Sequence, residues 1–146
     1  MSEPITRDVV INGPKEQVFD VITQARFWPA WHVLTRAVTG TIERPFLPGD
    51  VFTEFIRTPE GTREVPWVVL ERNRPDNVTI KVTKDETTIK YTFEEVPGGT
   101  LFRRTLTLDP TLEGITAPET EEQSVAQLKA LVETVLGNEK KDPTFP

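Results

Sequence analysis

The chain has 146 residues, with 17 basic and 23 acidic side chains, a formal net charge of −6 and no cysteine. That length suffices for one domain with its own core, and the missing cysteines exclude disulfides, thiolate metal sites and thiol nucleophiles. Basic residues scattered under a negative total argue against nucleic acid as a partner, because phosphate backbones need concentrated positive charge, and against adhesion to anionic lipid surfaces.

The opening residues Met1-Ser2-Glu3-Pro4 lack the basic and apolar regions of a secretion signal. The longest uncharged apolar stretch, Val65 to Leu70, contains Pro66 and falls far short of the roughly 20 residues of a membrane span. A soluble, cytoplasmic protein with no stable membrane insertion is expected, as a monomer or a homodimer.

From Ile5 to Asn12 the residues Ile5, Arg7, Val9 and Ile11 alternate with Thr6, Asp8 and Val10, a period of two that predicts a strand. Asn12-Gly13-Pro14 breaks it. Proline at a favoured first helical position, with Val18, Phe19 and Ile22 at helical spacing, predicts a short helix over Pro14 to Thr23. Ala25 to His32 holds Phe27, Trp28 and Trp31 around Pro29 and reads as a second short helix packed by its aromatics.

A series of strands separated by turn chemistry follows: Thr35 to Glu43, Val51 to Arg57, Thr62 to Arg72, Val78 to Lys84, Thr87 to Val96 and Thr100 to Asp109. Pro59-Glu60-Gly61, Arg74-Pro75-Asp76-Asn77 and Pro97-Gly98-Gly99 supply turns, and Asp85-Glu86 a hairpin tip. Beyond Asp109 the pattern becomes helical. Thr116 is placed as the cap and Pro118 just inside the start, while Glu119, Glu121 and Glu122 complement the helix dipole. Val125, Leu128, Leu131, Val132, Val135 and Leu136 form one apolar stripe, with Gly137-Asn138 as the stop. Glu139 to Pro146 has little to pack.

Seven strands, two short helices after the first of them and one long final helix make an α+β pattern in which the helix stripe can cover one face of an antiparallel sheet. Val78, Ile80 and Val82, then Ile89, Tyr91 and Phe93, alternate with polar neighbours, so one sheet face is apolar and the other wet.

Several segments resemble the START-like (SRPBCC) superfamily, in its polyketide cyclase/dehydrase and lipid-transport branch. Phe27-Trp28-Pro29-Ala30-Trp31-His32 looks like its aromatic second-helix motif, and Leu47-Pro48-Gly49-Asp50-Val51-Phe52 like its connection into the third strand. Thr100-Leu101-Phe102-Arg103-Arg104-Thr105, after a glycine turn, and Gln123 to Glu133 in the final helix are similar to the same branch. The resemblance implies a helix-grip fold, a seven-stranded curved antiparallel sheet wrapped around the long C-terminal helix. It further implies a single START-like ligand-binding domain over residues 1–137 and a cavity for a small hydrophobic molecule, lipid-like or aromatic polyketide-like; the charged, proline-containing residues 138–146 are expected as a flexible tail.

His32 is the only histidine and the only side chain with an ordinary pKa suited to proton exchange near neutrality; the plainer reading is a half-exposed residue leading into the next strand. With no second histidine and no cysteine, neither a metal nor another cofactor is expected. Arg104 shares a strand face with Phe102, Leu106 and Leu108, which aims its guanidinium inward, where it needs a partner. That partner is either an internal carboxylate such as Glu54, which alternates with Phe52 and Ile56, or an anionic or carbonyl group on a ligand. Trp31, Phe52, Trp67, Tyr91 and Phe93, with Leu128 and Val132 from the helix, either line a cavity or fill a solid core. Pro66 suggests a bulge or a sheet edge and leaves the face of Trp67 open.

No Gly-x-Ser-x-Gly element or phosphate-binding glycine loop occurs. The expected function is binding of a small hydrophobic ligand. The alternatives are a polyketide cyclase- or dehydratase-like enzyme using His32, Tyr91 and Arg104, and a co-chaperone-like interaction module acting through the outer sheet face.

Overall fold

A computed structural model describes residues 3–139. Strand β1 (Ile5–Ile11) leads through α1 (Lys15–Ile22), a 3₁₀ turn (Ala25–Phe27) and the single helical turn α2 (Trp28–Trp31) into β2 (Thr35–Gly40). Then come β3 (Val51–Thr58), β4 (Gly61–Asn73), β5 (Asn77–Val82), β6 (Thr88–Val96), β7 (Gly99–Thr107), a second 3₁₀ turn (Pro110–Leu112) and the long helix α3 (Pro118–Glu139). The strands form one antiparallel sheet in the order β1-β7-β6-β5-β4-β3-β2. β2 to β7 are thus successive hairpins, and β1 closes the row by pairing with β7, Ile5 opposite Leu106 and Ile11 opposite Thr100.

The expected seven-stranded curved sheet with its long terminal helix is present, and the differences lie at element ends. Pro14 stands at the cap of α1 rather than inside it, and its carbonyl accepts the Val18 N–H at 2.9 Å, the first intrahelical bond. β2 stops at Gly40, short of Glu43. There φ is +110°, and a Cβ would lie 2.8 Å from the Phe52 Cα, so only glycine fits. β5 ends at Val82 and β7 at Thr107. α3 runs through Gly137 and Asn138 to Glu139 instead of stopping there; residues 140–146 of the expected tail lie outside the described residues.

Pro66 marks neither a bulge nor an edge. β4 lies inside the sheet, and its register shift falls between Val69 and Glu71. The Pro66 carbonyl accepts the Thr83 N–H at 2.9 Å where β5 turns away, so its missing donor falls at the end of a ladder and costs little. Val65, Trp67 and Val69 therefore point inward. The bulge at Leu70 then exchanges the faces and brings Arg72 over the ring of Phe19, 5.7 Å from its centroid.

The core lies between the concave sheet face and α3. Inward residues alternate along each strand: Phe52 and Ile56 on β3, Val78 and Ile80 on β5, Ile89 and Phe93 on β6. From α3 come Val125, Leu128, Val132 and Leu136, each at most 3% exposed, and each such aliphatic side chain contributes about 1.5–3 kcal/mol by leaving water. Phe19, Trp28 and Trp31 close one end.

Candidate functional site

Two carboxylates, an arginine and a histidine point into this core. Glu54 projects inward from β3 because it alternates in phase with Phe52 and Ile56, and Arg104 from β7 because it alternates with Phe102 and Leu106. Both are 5% exposed. His32 stands where the chain leaves α2 for an extended conformation, and Glu121 lies in the first turn of α3.

The partner of Arg104 is Glu121 rather than Glu54. Arg104 Nη1 donates to Glu121 Oε1, and Glu121 also accepts Thr116 Oγ1 at 2.6 Å and faces His32 Nε2, 3.2 Å from each carboxylate oxygen. Thr116 therefore serves this carboxylate. Burial alone would raise the Glu121 carboxyl, but Arg104 and then His32 outweigh it and hold the group well below the usual carboxylate range. Burial likewise works against the Arg104 charge, and Glu121, with Tyr91 and Glu54 behind it, more than restores it.

Glu54 has its own partners. Thr35 Oγ1 donates to Oε2 at 2.5 Å and Trp67 Nε1 donates to Oε1 at 3.0 Å. The Thr35 hydroxyl also lies 3.1 Å from His32 Nδ1. His32 and Thr35 thus join the two carboxylates in one buried network. The chain around His32 is tied to α3, since Gln127 Nε2 donates to the Trp31 carbonyl at 2.7 Å and the Val33 N–H donates to Ser124 Oγ at 3.0 Å.

Beside the network lies a cavity of about 50 Å³. Its walls are Leu34, Ile56, Val65, Ile89, Leu106 and Leu108, with Thr87 just before β6; its polar end carries His32, Glu54, Trp67, Arg104 and Glu121. Among the described residues, every buried Asp, Glu, His, Lys or Arg lines this one cavity. Leu112 and Ile115, between β7 and α3, form a further wall, and their other side borders an open groove of about 480 Å³ that also touches Thr58, Arg63 and Glu113. The inner space is small against the roughly 300–1,000 Å³ of sites that bury a drug-sized molecule, so a ligand of that size has to widen it.

Of the residues expected as ligand contacts, Glu54, Trp67 and Arg104 line the cavity, together with His32. Phe52 and Phe93 instead pack in the aromatic core, Phe52 edge-on against Trp28 at 5.2 Å and Phe93 against Phe19 at 5.0 Å. Leu128 and Val132 are fully buried and lie off the cavity wall. Trp31 also lies behind the wall, with Arg104 Cζ 5.8 Å from its ring centroid.

Tyr91 is opposite Arg104 across β6 and β7. The guanidinium is near enough to act on the phenol, while the hydroxyl has no partner of normal hydrogen-bond geometry among the described residues. Burial pushes Tyr91 up to about 12, with Arg104 opposing. Sequence reasoning missed Glu121, although a signal existed: extending the stripe of Val125, Leu128, Val132 and Leu136 back by four residues lands on it.

A family model described as polyketide cyclase/dehydrase and lipid transport matches residues 4–142. The chain belongs to this family. Among solved structures, DR_A0006 of Deinococcus radiodurans superimposes with a TM-score of 0.72 at 16% identity, over 92% of this chain and 99% of that one. Protein NE0264 of Nitrosomonas europaea gives 0.67 at 15% identity, over 94% and 96% of the two chains. An AHSA1-like protein of Aeromonas hydrophila gives 0.66 at 16% identity, over 98% and 100%. At these identities the likeness shows the shared fold alone and no particular ligand. No curated protein sequence matches the chain. No helix among the described residues is long and apolar enough to cross a membrane, and no group of three His, Cys, Asp or Glu side chains among them is placed to hold a metal ion.

Proposed function

We propose that the protein binds one small hydrophobic molecule between the sheet and α3, with the apolar part against Ile56, Val65, Ile89 and Leu106 and the polar end toward Glu54 and Arg104. The observation that carries this reading is that all the buried charge of the described chain collects at one end of one apolar cavity. Buried charge is expensive, and family membership accords with a ligand as the reason to keep it there. Native mass spectrometry against a panel of fatty acids and aromatic polyketides tests it. A 1:1 adduct that changes Trp67 fluorescence and is lost in Ile89→Phe, which fills the cavity, is the expected result. A chain that takes up nothing, and melts at the same temperature with every ligand, overturns it.

A second reading, a cyclase or dehydratase acting on a polyketide-like chain, is favoured by the direct contact of His32 with a carboxylate that also holds Arg104, which places acid–base groups at the cavity wall. Tyr91 stands apart from that wall, so His32, Glu54 and Arg104 are the side chains whose removal would abolish turnover of a poly-ketone substrate.

A further inference from the structure

The hydrogen bonds around Thr35 require one proton more than a neutral imidazole and two carboxylates possess. Glu121, ionised by its pairing with Arg104, can only accept, so His32 Nε2 must carry a proton toward it. Thr35 has a single hydroxyl proton. If that proton goes to Glu54 Oε2, as the 2.5 Å contact indicates, the hydroxyl oxygen turns its lone pairs on His32 Nδ1 at 3.1 Å, and Nδ1 must be protonated too. Two protons on the ring make an imidazolium. If instead Thr35 donates to Nδ1, then its oxygen meets Glu54 Oε2, and Glu54 must hold the proton. Any arrangement lacking the extra proton leaves two lone pairs facing each other in a buried site.

We propose that His32, Thr35 and Glu54 hold one proton in common and deliver it at the cavity wall, which makes Glu54 the acid–base group offered to a ligand. Its passage balances: as Nδ1 gives its proton to Thr35 Oγ1, the hydroxyl proton moves to Glu54 Oε2, and the pair of charges on His32 and Glu54 disappears together. Trp67 keeps its bond to Oε1 throughout. With the shared proton in place the surrounding charges cancel, Arg104 of β7 and His32 against Glu54 of β3 and Glu121 of α3, with Tyr91 of β6 neutral beside them. Without it a net negative charge would stand in an apolar cavity, which is costly. The ligand suited to such a wall has a polar end that exchanges a proton, as an amine, a phenol or an enolisable carbonyl does.

This inference rests on the cavity reading only for the destination of the proton, and ligand-free protein tests it separately. Because His32 is the only histidine, ¹⁵N-histidine labelling gives a single imidazole, and ¹³C-labelled glutamate reports Glu54, assigned through Glu54→Gln. At pH 7 the expected signature is either two ring N–H groups with an ionised Glu54, or one ring N–H at Nε2 with a protonated Glu54. Glu54→Gln should leave one ring N–H, at Nε2, and Thr35→Val should change the protonation of the ring or of Glu54 from that of the wild type; Tyr91→Phe should leave the signature unchanged. A neutral ring beside an ionised Glu54 in the wild type overturns the proposal. So does a Thr35→Val variant in which neither the ring nor Glu54 differs in protonation from the wild type, the variant that decides if Glu54→Gln does not fold. Ligand binding could fail while this signature is present, or succeed while it is absent, so the two readings fall independently.

Discussion

Replacing Glu121 by glutamine removes the charge opposite Arg104 while keeping the size of the side chain. The two are 1% and 6% exposed, so water cannot take the place of the lost carboxylate, and an uncompensated buried cation costs about 3–5 kcal/mol. For a chain of this length, about 3 °C per kcal/mol translates that into a melting temperature roughly 10 °C lower. Arg104→Met combined with Glu121→Leu removes both charges and fills both volumes, and should recover at least about 2 kcal/mol of the loss. The acid limb gives a second reading. Because the folded Glu121 lies below its ordinary 4.5, the stability it contributes is present above about pH 4.5 and disappears as pH falls through the folded value; Glu121→Gln should lack that portion of the acid transition. Urea unfolding from pH 3 to 7 of the wild type, the single and the double variant measures the stability differences and the upper part of that acid limb. Equal stability of single and double variants would refute the assignment of the Arg104 charge to Glu121.

Three further outcomes follow from other parts of the molecule. Tyr91 rises from its ordinary 10 to about 12 on folding, so its contribution is complete below pH 10 and lost as pH climbs through 12, a fall of about 2–3 kcal/mol; Tyr91→Phe should abolish that alkaline fall and leave stability at pH 7 within about 1 kcal/mol, read by denaturant melts between pH 8 and 12. Gly99→Ala would place a Cβ 2.1 Å from the Ile11 carbonyl oxygen on a backbone with φ +136°, and should cost about 3 kcal/mol or more, seen as a lower thermal midpoint. Leu128→Ala, at a fully buried position of α3, should cost about 2–5 kcal/mol in the same assay.

The faces of β3, β5, β6 and β7 were legible because alternation with period two needs no knowledge of partners: Phe52, Glu54 and Ile56, or Phe102, Arg104 and Leu106, sort themselves once one residue is known to face the core. The strand containing Pro66 was harder, since whether a proline disrupts a ladder depends on where the neighbouring strand ends, and β5 turns away at Thr83. The site was half visible. His32, Glu54 and Arg104 stand out as lone polar groups in apolar surroundings, whereas Glu121 sits among other acids at a helix start and looks like dipole compensation. Its true role depends on the rotation of α3 about its axis, which brings Glu121 and Ser124 onto the buried side. Thr35 carried no sequence signal, because a strand threonine is ordinary until its hydroxyl is found between an imidazole and a carboxylate.

The wall made by Leu112 and Ile115 has a mechanical consequence. The aromatic end is bolted to α3 through Gln127 and Ser124, and moving it would break bonds between distant parts of the chain. Residues 110–115, by contrast, make their described hydrogen bonds with one another and with Asp109 alone. Swinging that short segment outward would sever no ladder and would join the inner cavity to the groove outside. Of the cavity wall, then, the connection between the last strand and the last helix, anchored at Asp109, is the part whose displacement would break the fewest long-range bonds.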